Sequence, residues 1–310
     1  MSWRRFAPGP EYAALGVLVV LVAGNALFTP HFATAGNLWN VLLQVSTVVL
    51  VAVGMTFVIA TGGVDLSVGS TMAIAAAIGA VLAQRGIILA LVTAILGATL
   101  VGVLNGALIA SLRVQPIVVT LATLIAGRGL AQIISHDGEL VSIGDATFLA
   151  LGRGHAGAIP VAVLVAVAAV AGAVFVLSAM PFGRYVLAVG GNSAAARLTG
   201  VPVRRTIVRV YAASAALSAV AGLIVAARLG ASDAAKIGQS MELDAIAAVV
   251  VGGTALSGGR ATMSGTVVGA LIMQVIATSF NMLLVPYSWS LALKALIILI
   301  AVYLQRPKRA

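Results

Sequence analysis

Long apolar runs separated by short polar stretches dominate this chain. A helix of about 20 residues crosses the apolar part of a bilayer, and runs of that length recur from Tyr12 onwards. The pattern predicts an all-α integral membrane protein with about ten transmembrane helices in one membrane domain, residues 1–310. The predicted spans are 12–29, 38–61, 66–83, 87–110, 115–134, 159–180, 206–228, 242–258, 262–281 and 288–304. Glycines at 252, 253, 258 and 259 interrupt the eighth and ninth spans, which makes a broken or re-entrant segment an alternative there.

Composition excludes the soluble classes of protein. Hydrophobic residues make up 61% of the chain and charged residues 8%, whereas about 25% of an ordinary soluble domain is charged. Disordered chains are also poor in apolar residues, so disorder is excluded. The chain has no cysteine, which rules out disulfides and thiolate metal sites.

The distribution of positive charge predicts how the chain sits in the membrane. Cytoplasmic loops carry an excess of Lys and Arg. Placing the N-terminus in the cytoplasm gives that side Arg4, Arg5, Arg113, Arg184, Arg197, Arg204, Arg205, Arg209, Arg260, Arg306, Lys308 and Arg309. The other side then holds Arg85, Arg153, Arg228 and Lys236. We therefore expect both termini to be cytoplasmic. The charges are scattered between apolar runs, so the net charge of +10 is explained by loop residues that fix the orientation in the membrane lipid and not by nucleic-acid binding.

No catalytic motif is present in the sequence. There is no G-x-x-x-x-G-K-[ST] phosphate loop, no H-E-x-x-H metal motif and no G-x-S-x-G nucleophile motif. We therefore expect a non-catalytic chain that binds no cofactor and no metal directly.

Asp65 and Ser67 lie between the second and third spans, in ATGGVDLSVGS. Asp and Ser are preferred at helix N-caps, so one interpretation is that they cap the third span. The alternative is a gate or pathway element at a helix break, as in many transporters. A similar segment recurs later, since GGVDLSVG at 62–69 resembles GGTALSGG at 252–259. An internal duplication or two independent glycine-rich turns would each explain this likeness.

Several polar residues are predicted to lie within the membrane. Arg128, Lys294, Glu242 and Asp244 fall toward the outer side, where they would line a vestibule or simply pair between helices. The uncharged polar residues suit either a hydroxylated solute or contacts between helices. They are Gln44, Ser46, Thr47, Asn105, Thr120, Thr123, Gln274 and Asn281. Of all these, we take Asn105, Arg128, Glu242 and Asp244, with Asp65 and Ser67, as candidate pathway or gate residues.

The inner loop 181–205 predicts a short helix. Asn192 or Ser193 is a suitable N-cap, Gly200 a suitable left-handed residue after the helix, and Pro202 stops its continuation. Ala194, Ala195 and Leu198 fall on one face. A helix with a small apolar face and basic flanks can lie on the membrane or dock in a groove of another protein, and the pattern alone does not separate these.

Three motifs resemble one family. They are GMTFVIATGGVDLSVGS at 54–70, GRYVLAVGGNSAAARLTGV at 183–201 and MELDAIAAVVVGGTALSGG at 241–259. Together they resemble the permease subunits of bacterial ABC sugar importers of the ribose, xylose and galactofuranose type, and look most like the galactofuranose permease subunits.

The resemblance implies several partners. It implies a second permease subunit, identical or different, a cytoplasmic ATP-binding subunit that hydrolyses the ATP, and an extracytoplasmic sugar-binding protein. It also makes the inner loop the coupling element that contacts the ATPase. The implied coupling residues are Gly190, Gly191, Asn192, Ala194, Ala195, Arg197, Leu198 and Gly200. Sugar specificity is then expected mainly in the binding protein.

A self-sufficient secondary transporter or channel for a small polar solute is the competing hypothesis. Ion-coupled carriers usually keep acidic or histidine side chains deep in the membrane. Here the acidic residues are expected at the ends of spans, which argues against this class. A structural membrane protein without transport is a third alternative.

Overall fold

The computed structural model describes residues 10–304, and within that range the chain forms thirteen α-helices. They are α1 Pro10–Phe28, α2 Ala35–Ala60, α3 Val68–Leu82, α4 Ile87–Leu112, α5 Pro116–Ile134, α6 Ala146–Arg153, α7 Val161–Ala179, α8 Pro181–Gly191, α9 Ser193–Leu198, α10 Val203–Leu229, α11 Met241–Val251, α12 Met263–Met282 and α13 Tyr287–Leu304. A single 3-10 turn, Ala83–Arg85, continues α3. The prediction of an all-helical protein is confirmed.

Seven helices in the described range are long and apolar enough to cross a membrane. They are α2, α3 with its 3-10 turn, α4, α5, α7, α10 and α12. Shorter apolar stretches occur at Ala13–Phe28 and Ser288–Ile300. The chain is therefore a multi-pass membrane protein, while ten crossings and cytoplasmic termini stay predictions. The terminal arginines and lysine used for the orientation fall at 1–9 and 305–310, outside the described residues.

The eighth predicted span, 242–258, is wrong as a continuous crossing. The helix α11 ends at Val251, and the chain is not helical again until Met263. Its 11 residues extend about 16 Å, roughly half the thickness of the apolar core. The glycine pair at 252 and 253 ends the helix at this point. The ninth span is continuous as α12, because the second glycine pair precedes it.

Helices of similar hydropathy take different places in the bundle. The apolar window of α2 is 83% buried, whereas that of α7 is only 17% buried. Burial of α10 and α12 resembles that of α2, and burial of α4 and α5 resembles that of α7. The first group therefore forms the interior, and the second presents most of its surface to lipid.

Small residues set the contact between α4 and α10. A stripe at four-residue spacing on α4 is buried, and a parallel stripe of leucines is exposed. The buried stripe is Ala90, Ala94, Ala98 and Gly102, and the exposed one is Leu96, Leu100, Leu104 and Leu108. A Cβ added to Gly102 would overlap the carbonyl oxygen of Tyr211 on α10. Small residues let membrane helices approach closely, and lipid solvates leucine as well as a protein core does.

The predicted outer loops 135–158 and 229–241 meet at one face. Two short strands, β1 Val141–Ser142 and β4 Ala231–Ser232, pair antiparallel and join these loops. A second pair joins β2 His155–Ala156 to β3 Ile159–Pro160. Between them lies α6, whose N-cap Asp145 accepts a 2.7 Å hydrogen bond from the Phe148 N–H. We call this the outer face and the opposite one, which carries α8 and α9, the inner face, following the charge-based orientation.

Candidate functional site

The glycine-rich segments after α2 and α11 end their helices in the same way. Gly62 N–H donates to the Ile59 carbonyl (2.8 Å) and Gly63 N–H to that of Val58 (3.1 Å). After α11, the corresponding bonds run from Gly253 to Val250 (2.9 Å) and from Thr254 to Val249 (3.2 Å). Gly62 and Gly253 both have positive φ, which glycine adopts without strain. The structural equivalence is shifted by one residue from the alignment of the two sequences, and both explanations of the likeness stay open.

Asp65 lies in the break between α2 and α3 and is only 1% exposed. Its Oδ1 accepts hydrogen bonds from the N–H and the hydroxyl of Ser67 (3.0 and 2.6 Å), and its Oδ2 accepts one from the Ser214 hydroxyl (3.1 Å). Ser214 lies near the middle of α10. Asp65 therefore lies between the ends of two spans, as expected, but it is buried there against the middle of a third.

The hydrogen bonds around Asp65 continue to α4 and α5. Asn105 donates through Nδ2 to the Ser67 hydroxyl (3.0 Å), and the Thr123 hydroxyl donates to Asn105 Oδ1 (2.6 Å). Asp65, Ser67 and Asn105, three of the predicted pathway residues, thus belong to one network, and each of them is buried. We call these residues with Thr123 and Ser214 the break network.

The break network does not contain the predicted N-cap bond. Ser67 occupies the N-cap position of α3, but its side chain makes no capping hydrogen bond. Asp65 instead bonds the N–H two residues ahead, which forms a local turn before the helix. The network therefore fixes where α3 begins by linking that point to α4, α5 and α10.

We expect Asp65→Asn to fold and to transport. The substitution replaces one carboxylate oxygen with an NH2 group, and the Ser214 hydroxyl can rotate to accept a hydrogen bond from it. We therefore expect the free energy of unfolding to fall by about 0.5–1.5 kcal/mol, the net contribution of one hydrogen bond. The measurement is thermal unfolding of the purified protein alongside solute uptake. Lost uptake with wild-type stability would instead make Asp65 a gate.

Three of the four charged candidates of the outer half bond other parts of the chain. Arg128 Nη1 donates to the carbonyl oxygens of Ala234 (2.8 Å) and Ile237 (2.6 Å), which holds the segment before α11 inside the bundle. Lys294 on α13 forms a 2.7 Å ion pair with Asp244 on α11, and its side chain is 7% exposed. This ion pair agrees with the simpler of the two interpretations of these charges.

Glu242 belongs to the first turn of α11, and its carboxyl group lies beside the start of α3. A Cβ added to Gly69 would be 2.8 Å from Glu242 Oε2, and it would also overlap the Gly238 carbonyl oxygen. A carboxyl group beside a helix N-terminus faces the positive end of the helix dipole. The roles of Arg128, Glu242 and Asp244 in a pathway stay predictions.

A cavity of about 250 Å³ opens beside these residues, and we call it the outer cavity. It lies between α2, α3, α10, the segment before α11, α11 itself and α12. Its polar wall comprises Gln44, Thr47, Arg228, Gln239, Asp244 and Gln274. Gln44 and Gln274 come from the uncharged polar set, whereas Arg228 and Gln239 were not singled out by sequence reasoning. No local sequence pattern identifies Arg228 and Gln239 as cavity residues. They reach the cavity only because the segment between α10 and α11 folds back into the bundle.

The other uncharged polar residues contact their own or neighbouring helices. The Ser46 and Thr47 hydroxyls donate to carbonyls of α2, and the Thr120 hydroxyl bonds Val64 and Pro116. Such bonds satisfy hydroxyl groups within a helix. Among the described residues, no cluster of three His, Asp or Glu side chains could hold a metal ion.

The three sequence motifs meet at the inner face. Gly259 N–H donates to the Ala60 carbonyl at the end of α2 (2.9 Å). A Cβ added to Gly190 on α8 would overlap that same carbonyl oxygen and lie 2.6 Å from the Gly259 nitrogen. We call Ala60, Gly190 and Gly259 the glycine junction. It connects the end of α8 directly to α2 and to the loop before α12.

The short helix α9 has the ends that the sequence predicts. Asn192 Oδ1 accepts from the Ala195 N–H (3.0 Å) as the N-cap. At the other end Gly200 has a φ of 83°, and the Val201 N–H bonds the Ala196 carbonyl (3.0 Å). These bonds complete both ends of a helix only six residues long.

The outward face of α9 is apolar. Ala194, Ala195 and Leu198 are exposed, and Leu198 is 91% exposed, whereas Ala196 packs inward. Four arginines line an adjacent cavity of about 500 Å³, namely Arg113, Arg197, Arg204 and Arg205. Of the predicted coupling residues, Gly190 faces the protein interior, and Gly191 has no other heavy atom within 4 Å of an added Cβ.

Comparisons with known proteins define the family. A family described as branched-chain amino acid transport system / permease component matches residues 37–302, and the chain belongs to it. The ribose import permease protein of Haemophilus influenzae is 40% identical over 298 residues, which cover 94% of this chain and 92% of the relative. No solved structure matches the chain.

Two relatives in Escherichia coli K12 are nearly as similar. The galactofuranose transporter permease protein is 38% identical, covering 96% of this chain and 89% of the relative. The L-arabinose transport system permease protein is also 38% identical, covering 96% and 91%. The family resemblance read from the three motifs is confirmed. The comparisons do not select galactofuranose among these sugars.

Proposed function

We propose that this chain is the membrane permease subunit of an ABC importer in the cell inner membrane and that it carries a monosaccharide into the cell. The relatives described above are ribose, galactofuranose and L-arabinose permeases, so we infer a neutral, hydroxylated sugar of that size. We infer the import direction from the ribose relative, which is an import permease. A second permease subunit and an extracytoplasmic sugar-binding protein complete the proposed assembly.

The observation that carries the proposal is the exposure of Leu198 on α9. A leucine that is 91% exposed at the end of a well-capped helix has no folding role in this chain. An apolar helix face of this kind fits a groove in another protein. The four arginines that line the cavity next to α9 add electrostatic complementarity to an acidic partner surface. The partner in our proposal is a cytoplasmic ATP-binding subunit.

The glycine junction provides a mechanical link from α9 to the membrane helices. The glycine junction brings the backbone of α8 into direct contact with the end of α2 and the loop before α12, so a displacement of α9 is transmitted to them. In our mechanism, ATP binding in the partner moves α9, and α2 and α12 follow as the pathway alternates its opening. The chain itself supplies no catalytic group.

Purification from the native membrane tests the partner assignment. We expect mass spectrometry of the gently solubilised complex to find an ATP-binding subunit, and a second related permease if the pair is a heterodimer. A well-behaved ABC importer solubilised in parallel provides the control for complex stability. Recovery of this chain alone while the control complex stays intact would contradict the proposal.

A self-sufficient carrier is the second candidate, and the burial of the Asp65 carboxyl group among the helices favours it. Ion-coupled carriers place acidic groups deep in the membrane. In this chain, however, one Asp65 oxygen accepts hydrogen bonds from Ser67 and the other accepts one from Ser214. The carboxyl group therefore stabilises the start of α3 and its contact with α10. Uptake by the chain alone in proteoliposomes, without ATP or partners, would establish this alternative.

A further inference from the structure

We propose that the outer cavity is a binding subsite for a neutral polyhydroxylated sugar, and that the permease therefore takes part in sugar selection. This inference rests on the proposed import function and adds a site to it. The cavity volume of about 250 Å³ lies just below the range of roughly 300–1,000 Å³ typical of ligand pockets, so it suits one small molecule. Its walls reach from the outer end of α10 at Arg228 to Met72 near the start of α3.

Two facing amides form the chemical centre of the cavity. Gln274 Nε2 donates to Gln44 Oε1 (3.1 Å) and to the Thr278 hydroxyl (3.2 Å). This leaves the Gln44 amide NH2 and the Gln274 amide oxygen without partners among residues 10–304. Exchanging oxygen and nitrogen in both amides still leaves one donor and one acceptor free. A sugar hydroxyl both donates and accepts, so it can bond both free positions.

Arg228 also lines the cavity, and its Nη1 has no hydrogen-bond partner among the described residues. Since that atom is buried against the protein, a ligand in the cavity reaches it only after the Arg228 side chain turns. The free positions of the Gln44 and Gln274 amides are therefore the polar groups that a bound sugar meets first.

The remaining lining combines two paired charges with apolar surface. Asp244 is paired with Lys294 (2.7 Å), and the exposed Lys236 lies 3.7 Å from Asp233, so two of the charges that line the cavity have partners in the protein. Val48, Met72 and Val225 contribute apolar surface. A monosaccharide presents C–H groups on one side and hydroxyls at its edge, which matches this division.

A site of this kind would discriminate between sugars. Sites that hydrogen-bond a particular hydroxyl reject analogues that lack it more strongly than apolar pockets do, because buried polar groups would then lose their partners. Specificity would accordingly be shared with the binding protein. From the sequence, sugar specificity was expected mainly in the binding protein, because no charged site was predicted at the centre of the membrane.

The test is uptake of radiolabelled ribose, galactofuranose and L-arabinose by the full complex in proteoliposomes. Wild-type uptake of none of them would refute the proposed function and is thus distinguishable from failure of the subsite. We expect Gln274→Leu to reduce uptake of the preferred sugar about tenfold, because the sugar would lose one or two hydrogen bonds to the site. The ratio of uptake between sugars is expected to change as well.

Two further variants complete the design. Gln239→Leu alters an exposed cavity residue and is expected to leave the fold intact. It tests the subsite if Gln274→Leu does not fold. Gln132→Leu makes the same substitution on α5 outside the cavity and is expected to leave rates and ratios unchanged. Unaltered ratios in the folded cavity variants, or an equal loss for every sugar, would overturn the subsite.

Discussion

Leu198→Asp is expected to abolish uptake while leaving the chain folded. Leu198 is 91% exposed, and surface substitutions usually change stability by about 0.5 kcal/mol or less. In the assembled importer the same position would be covered by the ATP-binding subunit. An unpaired charge buried there costs about 3–5 kcal/mol, which corresponds to a roughly hundredfold or greater weakening of the contact. The measurements are uptake by the complex and retention of the ATP-binding subunit during purification.

Two matched variants at position 198 test whether the loss of uptake comes from burying a charge in the interface or from the sign of that charge. Leu198→Met keeps an apolar side chain of similar volume and is expected to retain uptake. Leu198→Lys should fail as Leu198→Asp does, because the cost comes from removing a charge from water and not from its sign. Normal uptake in both charged variants would remove α9 from the coupling surface.

Gly190→Ala is expected to have the largest effect on folding. The added methyl group would overlap the Ala60 carbonyl oxygen and press on the Gly259 nitrogen. Both are backbone atoms, so no side-chain rotation relieves the contact. Overpacking of this type costs about 1–3 kcal/mol or more. We expect a lower thermal unfolding temperature of the purified chain and a loss of uptake.

The adjacent residue supplies the control for this prediction. An added Cβ at Gly191 has no other heavy atom within 4 Å, and the residue is exposed. Gly191→Ala should therefore unfold at the wild-type temperature. Equal destabilisation by the two substitutions would show that helix flexibility, and not the glycine junction, explains the need for glycine at 190.

The sequence predicted the local features of the candidate site. The capped helix α9, with Asn192 before it and Gly200 after it, follows from residue preferences that act within one helical turn. The break at 61–67 follows from its glycines in the same way. By contrast, the bonds from Asp65 to Ser214 and from Gln274 to Gln44 join residues 149 and 230 positions apart. Neither pair carries a local signal, so the break network and the outer cavity emerged only from the fold.

By itself the sequence determined the membrane class, the positions of the apolar helices, the expected orientation and the family, because each depends on composition or on short motifs. Tertiary structure decided which helices are interior, how far α11 extends, and that three distant motifs converge at the glycine junction. The physical reason is that lipid and protein interior are equally apolar. Hydropathy therefore cannot tell α4 from α2, and only the fit of small residues and the pairing of buried polar groups distinguishes the surface of the bundle from its centre.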